Sequence, residues 1–427
     1  MHHRTPRIRR RALQVASVVL ATLALSRQTP QFEISPQDVL LDEPLHIALA
    51  GLPPQQDVTI LVDGNRGVWH SSATFRSDAQ GRVEVADPMR LIWSATGEPP
   101  AAPNPVPAQP WIFSAQVDGK VVATQTVRRR AVAEGVRLVP VRERGLVGTA
   151  YYPPEPGRHP AMIVLPGSQG GIPGPGAHPG GLASRGYVVL ALAYFNAEGL
   201  PPLLNNIPLE YFATAADWLK SQPSVDADRV GVLGTSRGGE LALLLGATFP
   251  SAFRVVVANV PSSVVWPGLS DDSEAPAWTL NGKPLVSVAS RFGPADLALS
   301  GRDRFLKRMR DADAMRRAEI PVERIGGPLL MFSGKDDQLW PSDVFAARVV
   351  ERLKAHAFAH PVEHYSYEHA GHLIARPYLP TSAVRQVRIH PVSKRPNMAG
   401  GTPEGQALAN EDSWQKLLAF LDRYLRK

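Results

Sequence analysis

Hydrophobic and polar positions fall into two textures along the chain. From Phe32 to about Val127, short runs of alternating character are separated by turn signals. Val58-Thr-Ile-Leu-Val ends at Asp63-Gly64, and Ser72-Ala-Thr-Phe-Arg leads into Asp78-Ala-Gln-Gly. Trp111-Ile-Phe-Ser-Ala-Gln-Val ends at Asp118-Gly119 before Lys120-Val-Val-Ala-Thr. Strands at this spacing, with no long helical pattern between them, predict a small immunoglobulin-like β-sandwich over residues 29–132. The Pro- and Ala-rich stretch from Pro99 to Pro110 reads as a loop within it. Arg128-Arg129-Arg130 reads as a solvated linker face close to the domain boundary.

The texture changes after Tyr151. Ala161-Met-Ile-Val-Leu, Tyr187-Val-Val-Leu-Ala-Leu-Ala and Pro328-Leu-Leu-Met-Phe are continuous apolar runs, as is the core of Phe253-Arg-Val-Val-Val-Ala-Asn-Val. Val362-Glu-His-Tyr-Ser-Tyr reads as the last strand. Stretches with helical spacing lie among them: Leu209 to Leu219, Ser342 to Ala355 and, at the end, Ser413 to Leu425. Apolar strands alternating with helices predict an α/β domain over residues 133–427, with a mostly parallel sheet covered on both faces. Residues 261–321 break the pattern with turns, isolated tryptophans and a charged helical stretch from Asp303 to Arg317. That segment reads equally as a lid or pocket wall and as a surface-packing excursion.

One stretch of this domain carries chemistry. Val230-Gly-Val-Leu feeds Gly234-Thr-Ser236-Arg-Gly238, and Glu240-Leu-Ala-Leu-Leu-Leu-Gly follows as a helix. A strand, a sharp turn holding a serine between small residues, and a helix form a nucleophile elbow. A serine hydroxyl needs a base and a group to orient that base. In an α/β-hydrolase fold these follow in the order acid, then histidine, each after a strand. Gly334-Lys-Asp336-Asp337 follows one strand candidate, and Glu368-His369-Ala-Gly-His372 follows the last. His372, beyond a glycine turn, is preferred to His369 as the base. Asp337 is preferred to Asp336 as the acid, against the alternative that the pair is a solvated loop or helix cap. Two amides are expected to hold the oxyanion: that of Arg237, after the nucleophile, and that of Ser168 in Gly167-Ser-Gln169-Gly-Gly, with Gln169 as runner-up. The other histidines, from His46 to His390, read as surface or packing residues. A metal site from His364, His369 and His372 is disfavoured because no HExxH helix carries them. No cofactor-binding pattern stands out.

Composition narrows the setting. The 427 residues contain no cysteine, which removes disulfides and thiolate chemistry. The formal charge is +7, but six basic residues and no acidic ones lie before Gln28. The rest is close to neutral, so no nucleic-acid partner is implied. Arg4 to Arg11 followed by apolar Ala12 to Leu25 reads as a signal peptide or N-terminal anchor over residues 1–28. This predicts an exported protein, periplasmic or extracellular, or one held at the membrane by its N-terminus; without a functional leader the place would be the cytoplasm. The oligomeric state is not encoded in any visible pattern.

Several segments resemble the acyl-CoA thioesterase and bile acid-CoA:amino acid N-acyltransferase family. They are Leu41-Asp-Glu-Pro-Leu-His-Ile, Asp87-Pro-Met-Arg-Leu-Ile-Trp-Ser, Ala191-Leu-Ala-Tyr-Phe-Asn, Gly231-Val-Leu-Gly-Thr-Ser-Arg-Gly-Gly-Glu, Gly334-Lys-Asp-Asp-Gln-Leu-Trp and Ala370-Gly-His-Leu-Ile-Ala-Arg-Pro-Tyr-Leu-Pro. The resemblance implies an immunoglobulin-like domain before an α/β-hydrolase domain, and a triad of Ser236, Asp337 and His372. In that family the aminoacyl-conjugating member has cysteine as nucleophile and the thioesterases have serine. Ser236 therefore points to hydrolysis of an acyl thioester or ester over transfer to an amine. Export would separate the enzyme from acyl-CoA, which leaves another ester, thioester or amide open as substrate. A binding protein with an inert hydrolase domain is the non-enzymatic alternative.

Overall fold

The computed structural model describes residues 29–97, 108–269, 275–289, 296 and 298–427. The leader at 1–28 lies outside the described residues, as do residues 98–107 of the expected loop and parts of the 261–321 segment.

The first part of the chain is β-rich. β1 (Gln31–Ser35), β2 (Asp38–Leu40), β3 (His46–Ala50), β4 (Asp57–Gly64), β5 (Trp69–Arg76) and β6 (Val83–Glu84) precede a single helical turn, α1 (Arg90–Trp93). β7 (Ala108–Val117) and β8 (Lys120–Arg130) complete it, so the last residues of the expected Pro-rich loop belong to a strand. Two sheets form, ordered β1-β3-β6 and β2-β8-β7-β4-β5. Alternate residues of both meet in one core: Ile34, Ile47 and Leu49 from one sheet, Val58, Ile60, Trp111 and Phe113 from the other. That core is the period-2 pattern of the sequence made physical.

The same alternation corrects the reading of the arginine run. The run continues β8, so Arg128 and Arg130 face out and pair with Asp38, while Arg129 turns inward and is fully buried. Its guanidinium donates to the carbonyls of Leu41 (2.6 Å) and Tyr378 (2.8 Å) and lies over the Trp111 ring. A run that reads as a solvated linker thus contains an interdomain contact.

The second part opens with an antiparallel pair, β9 (Arg137–Val141) and β10 (Val147–Tyr152). β11 (His159–Leu165), α2 (His178–Ala183), β12 (Val188–Ala193), β13 (Ile207–Pro208), α3 (Glu210–Lys220), β14 (Val225–Thr235), α4 (Arg237–Thr248) and β15 (Val255–Asn259) follow. Then come β16 (Trp278–Leu280), β17 (Lys283–Pro284), α5 (Gly301–Arg308), α6 (Ala312–Arg317), β18 (Leu329–Gly334), α7 (Ser342–Ala355) and β19 (Val362–Tyr367). A small hairpin of β20 (Arg388–Ile389) and β21 (Pro396–Asn397) leads to α8 (Pro403–Leu421). The closing helix therefore starts ten residues before its clearest apolar spacing, behind a Thr402 cap that accepts from the Gly405 amide. The charged stretch expected as one helix is two, because Asp311 caps the second.

The large sheet has the order β19-β18-β15-β14-β11-β12-β10-β9, parallel from β12 to β19. The runs through β11, β12, β15 and β18 are almost wholly buried because both faces are covered. Ile163, Leu190, Val232, Val256 and Met331 pack against α3, α4 and α7. Met162, Val189, Val257 and Phe332 pack against α2 and α8. Each such side chain contributes about 1.5–3 kcal/mol when fully buried.

The two parts are joined by buried charge. Asp42, from the first, receives Arg376 at 2.5 Å and Arg185 at 2.7 Å. Arg376 also donates to the carbonyls of Ala131 (2.9 Å) and Pro175 (3.1 Å).

Candidate active site

Ser236 sits where β14 stops and α4 begins, near the centre of the sheet, with φ 60° and ψ −119°. This strained geometry costs on the order of 1–3 kcal/mol and is held by neighbours that tolerate no side chain. A Cβ on Gly234 would lie 1.8 Å from the Gly238 carbonyl oxygen, and one on Gly238 would lie 2.4 Å from that of Pro166. The Ser236 amide donates to the Asn259 carbonyl at 2.8 Å. The Asn259 side chain lies 3.4 Å from the buried ring of His178, which burial and Arg376 push down to about 4. That ring is neutral packing beneath the elbow.

The candidate acid and base, Asp337 and His372, come from the loops after β18 and β19, at the same C-terminal edge of the sheet. The Nδ1 of His372 lies 2.7 Å from Oδ2 of Asp337. Oδ1 of Asp337 accepts the amides of Leu339 (3.0 Å) and Trp340 (3.2 Å). Both residues are buried, and the imidazole packs edge-on against Trp340. Three donors thus fix one carboxylate and, with it, the histidine tautomer that leaves Nε2 as an acceptor. That Nε2 is buried and has no hydrogen-bond partner among the described residues, Ser236 included. The competing residues go elsewhere. Asp336 accepts from the Gly401 amide and the Gln338 side chain, and His369 is exposed. His364 bonds Ser333 at 2.8 Å, so the three histidines diverge, and no cluster among the described residues could hold a metal ion.

The loop after β11 runs beside the serine. A Cβ on Gly167 would lie 3.2 Å from that of Ser236. Residues 167–170 form a turn closed by a 3.1 Å bond from the Gly170 amide to the Gly167 carbonyl. Tyr194-Phe195-Asn196 holds this loop from below. The Tyr194 hydroxyl donates to Pro166, the Asn196 side chain to Gln169, and the Gly171 amide to Phe195. Arg237 is the first residue of α4, so its amide is one of the helix donors without an intrahelical acceptor.

Ser236, Ser168 and Arg237 line one cavity of about 750 Å3, within the range of small-molecule sites. Its walls include Trp266 to Leu269, Leu299 to Gly301 with Arg304 and Phe305, Gln338 to Trp340 and, from the hairpin segment, Val387, His390 and Val392 to Met398. Described residues of 261–321 therefore wall the cavity. The hairpin wall has no such warning in its hydrophobic pattern. His390 belongs to it and is more than packing: its Nε2 lies 2.8 Å from the Ser168 hydroxyl, while Nδ1 accepts the amides of Val392 and Ser393.

The wall at Trp266 is tied to the elbow through a buried pair. Arg237 bonds Glu240 at 2.9 Å and the carbonyls of Trp266 and Pro267. Glu240 accepts the indole N–H of Trp278 at 2.9 Å. Burial pushes its carboxyl up to about 7, against the opposing pull of Arg237 and the Trp278 N–H. The side chain of Arg237 thus builds the wall, apart from any use of its amide.

A serine elbow centred in this sheet order, with acid and histidine on the following strand ends, defines an α/β hydrolase. The family model for the acyl-CoA thioester hydrolase/BAAT N-terminal region matches residues 42–143, and that for the BAAT/acyl-CoA thioester hydrolase C terminal matches residues 207–427. The chain belongs to this family. Acyl-coenzyme A thioesterase 2, mitochondrial, of Mus musculus is 31% identical over 409 residues, covering 90% of this chain and 87% of the relative. Acyl-coenzyme A thioesterase 1 of Homo sapiens is 30% identical over 419 residues, covering 90% and 94%.

Proposed function

We propose that this protein hydrolyses an acyl thioester, of the acyl-CoA kind its relatives are named for, through an acyl-enzyme on Ser236. The observation that carries this reading is the Asp337–His372 bond of 2.7 Å at the sheet edge that also bears the strained Ser236. In this reading Nε2 of His372 takes the Ser236 proton as Oγ attacks the acyl carbon. Asp337 holds the ring and stabilises the imidazolium. The amides of Arg237 and Ser168 receive the oxyanion. Collapse expels the thiolate, which takes the proton from His372, and water repeats the sequence on the acyl-enzyme. The apolar side of the cavity, with Trp266, Leu269, Phe305 and Leu339, would take the acyl chain.

A fluorophosphonate probe and a panel of acyl-CoA and p-nitrophenyl esters test this reading. Wild-type protein should be labelled and should release thiol, whereas Ser236→Ala should do neither. Labelling that is equal in the two proteins would refute Ser236 as nucleophile. Acylated amine as product, formed only with an added amine, would replace hydrolysis by transfer. Residues 1–28 are proposed to direct export or membrane attachment; fractionation of cells expressing the full chain, with and without them, would show a change of compartment.

A further inference from the structure

The turn that carries His390 sets the direction of its hydrogen bonds. Nδ1 of the ring accepts the amides of Val392 at 3.2 Å and Ser393 at 3.0 Å. An atom that accepts two N–H groups has no lone pair left to hold a proton. The single N–H of the neutral ring is therefore at Nε2, and the 2.8 Å bond to Ser168 runs from Nε2–H to Oγ. Burial and the charge of Lys394 both hold the ring below the ordinary imidazole range, which favours this neutral state.

That direction decides what Ser168 can offer. A serine hydroxyl has one hydrogen to give, and His390 does not take it. Among the described residues no other group accepts it. Ser168 is half-buried and lines the cavity together with Ser236, Arg237 and His390. Its hydrogen is thus left for whatever enters the cavity, whereas the reverse tautomer would turn a lone pair to the same place. Both ends of the bond are anchored. The loop at 167–170 rests on Tyr194 and Asn196. The turn between β20 and β21 is closed by bonds from the His390 amide to the Arg395 carbonyl (2.9 Å) and from the Lys394 amide to the His390 carbonyl (3.0 Å).

We propose that the Ser168 hydroxyl, aimed by His390, is a further hydrogen-bond donor to the acyl oxygen when Ser236 attacks. The inference rests on the reading of Ser236 as the nucleophile. It adds a side chain to the two amides of that reading, and it gives His390 a positioning role. As Oγ of Ser236 adds to the acyl carbon, the carbonyl electron pair moves onto the acyl oxygen. Ser168 keeps its proton throughout and donates a hydrogen bond to that oxygen. A donor oriented before the reaction stabilises the new charge without reorganising.

The experiment compares wild type, Ser168→Ala, Ser168→Thr, His390→Ala and the double variant Ser168→Ala/His390→Ala. The substrates are an acyl-CoA and the p-nitrophenyl ester of the same acyl group. Ser168→Ala should lower kcat for both about tenfold to hundredfold while KM changes less than about twofold. Ser168→Thr keeps a hydroxyl and should hold kcat within about fivefold of wild type. The double variant should be within about twofold of Ser168→Ala, because His390 acts through that hydroxyl. An alkyl trifluoromethyl ketone, which forms an oxyanion on Ser236, should inhibit Ser168→Ala more weakly by about the factor lost in kcat. The ring-nitrogen NMR signals that disappear in His390→Ala should be those of a neutral imidazole protonated at Nε2. With active wild type, a Ser168→Ala variant within about twofold of it would overturn the proposal alone. So would a His390 ring protonated at Nδ1, or losses that multiply in the double variant. Wild type that neither turns over these substrates nor binds the ketone would overturn the reading of Ser236, and the proposal would fall with it.

Discussion

The site has two halves, and they are held in different ways. The half borne by the sheet comprises Ser236, the loop at 167–170, Asp337 and His372. Each follows the C-terminal end of a strand, and its position is set mostly by backbone: closed glycine contacts at 234 and 238, amides on Asp337, and the Ser236 amide on Asn259. The half borne by insertions comprises Trp266 to Leu269, Leu299 to Gly301 with Arg304 and Phe305, and the cavity-lining residues of the 387–398 hairpin. Side chains tie this half down: Arg237 with Glu240, and His390 with Ser168. Backbone geometry tolerates few sequences, whereas side-chain ties can be exchanged. The molecule thus separates candidate residues fixed by backbone from a cavity wall held by exchangeable side chains.

The largest test of that division is removal of the sheet-borne chemistry. Ser236→Ala and Asp337→Asn should each lower kcat by about 10⁴-fold or more while thermal melting stays close to wild type. A small loss in either, in folded protein, would mean that another group performs the chemistry. Next comes the charge that joins the two parts of the chain. Arg376→Ala leaves Asp42 buried with Arg185 alone. It should cost about 3–5 kcal/mol in urea unfolding. A loss near zero would show that the interdomain contact is replaceable.

The insertion-borne half should respond more gently. Protonated Glu240 is favoured in the fold, with its pKa raised from 4.5 to about 7 by burial. Its contribution is therefore complete below about 4.5 and lost as pH rises through about 7. Buried His178, lowered from 6.5 to about 4, acts in the opposite sense over part of the same range. The difference between proteins isolates the carboxyl: the stability of wild type relative to Glu240→Gln should decline between pH 4.5 and 7. A difference that is flat or rises with pH would contradict the assignment. The smallest effect is expected at His390. His390→Ala removes one bond to Ser168 and should lower kcat/KM by roughly threefold to tenfold without loss of fold. A loss as large as that of Ser236→Ala would move the hairpin from the adjustable half to the fixed one.

Much of the sheet-borne half was legible in the chain. Ser236 announced itself because an elbow needs glycine at 234 and 238, and His372 because it stands beyond a glycine turn after the last strand. Asp337 was harder, since Asp336 has the same chemistry one residue away; the loop backbone decides which carboxylate meets His372. The tyrosine, phenylalanine and asparagine at 194–196 were visible as a family-like motif, yet their use in carrying the loop at 167–170 was not. Arg129 was misread because a charge run looks solvated in one dimension, and only strand alternation against a second domain turns its middle member inward.

The sequence by itself determined what local rules can set: two textures of strand, the elbow, and the order serine, acid, histidine. These follow from periodicity and backbone sterics, which act over a few residues. Tertiary structure alone decided the pairings across long stretches of chain. Asp42 meets Arg376, His390 meets Ser168, and Arg237 meets the carbonyls after Trp266. Such pairs depend on where the fold leaves buried charges and donors in need of partners. No spacing in the sequence records that need.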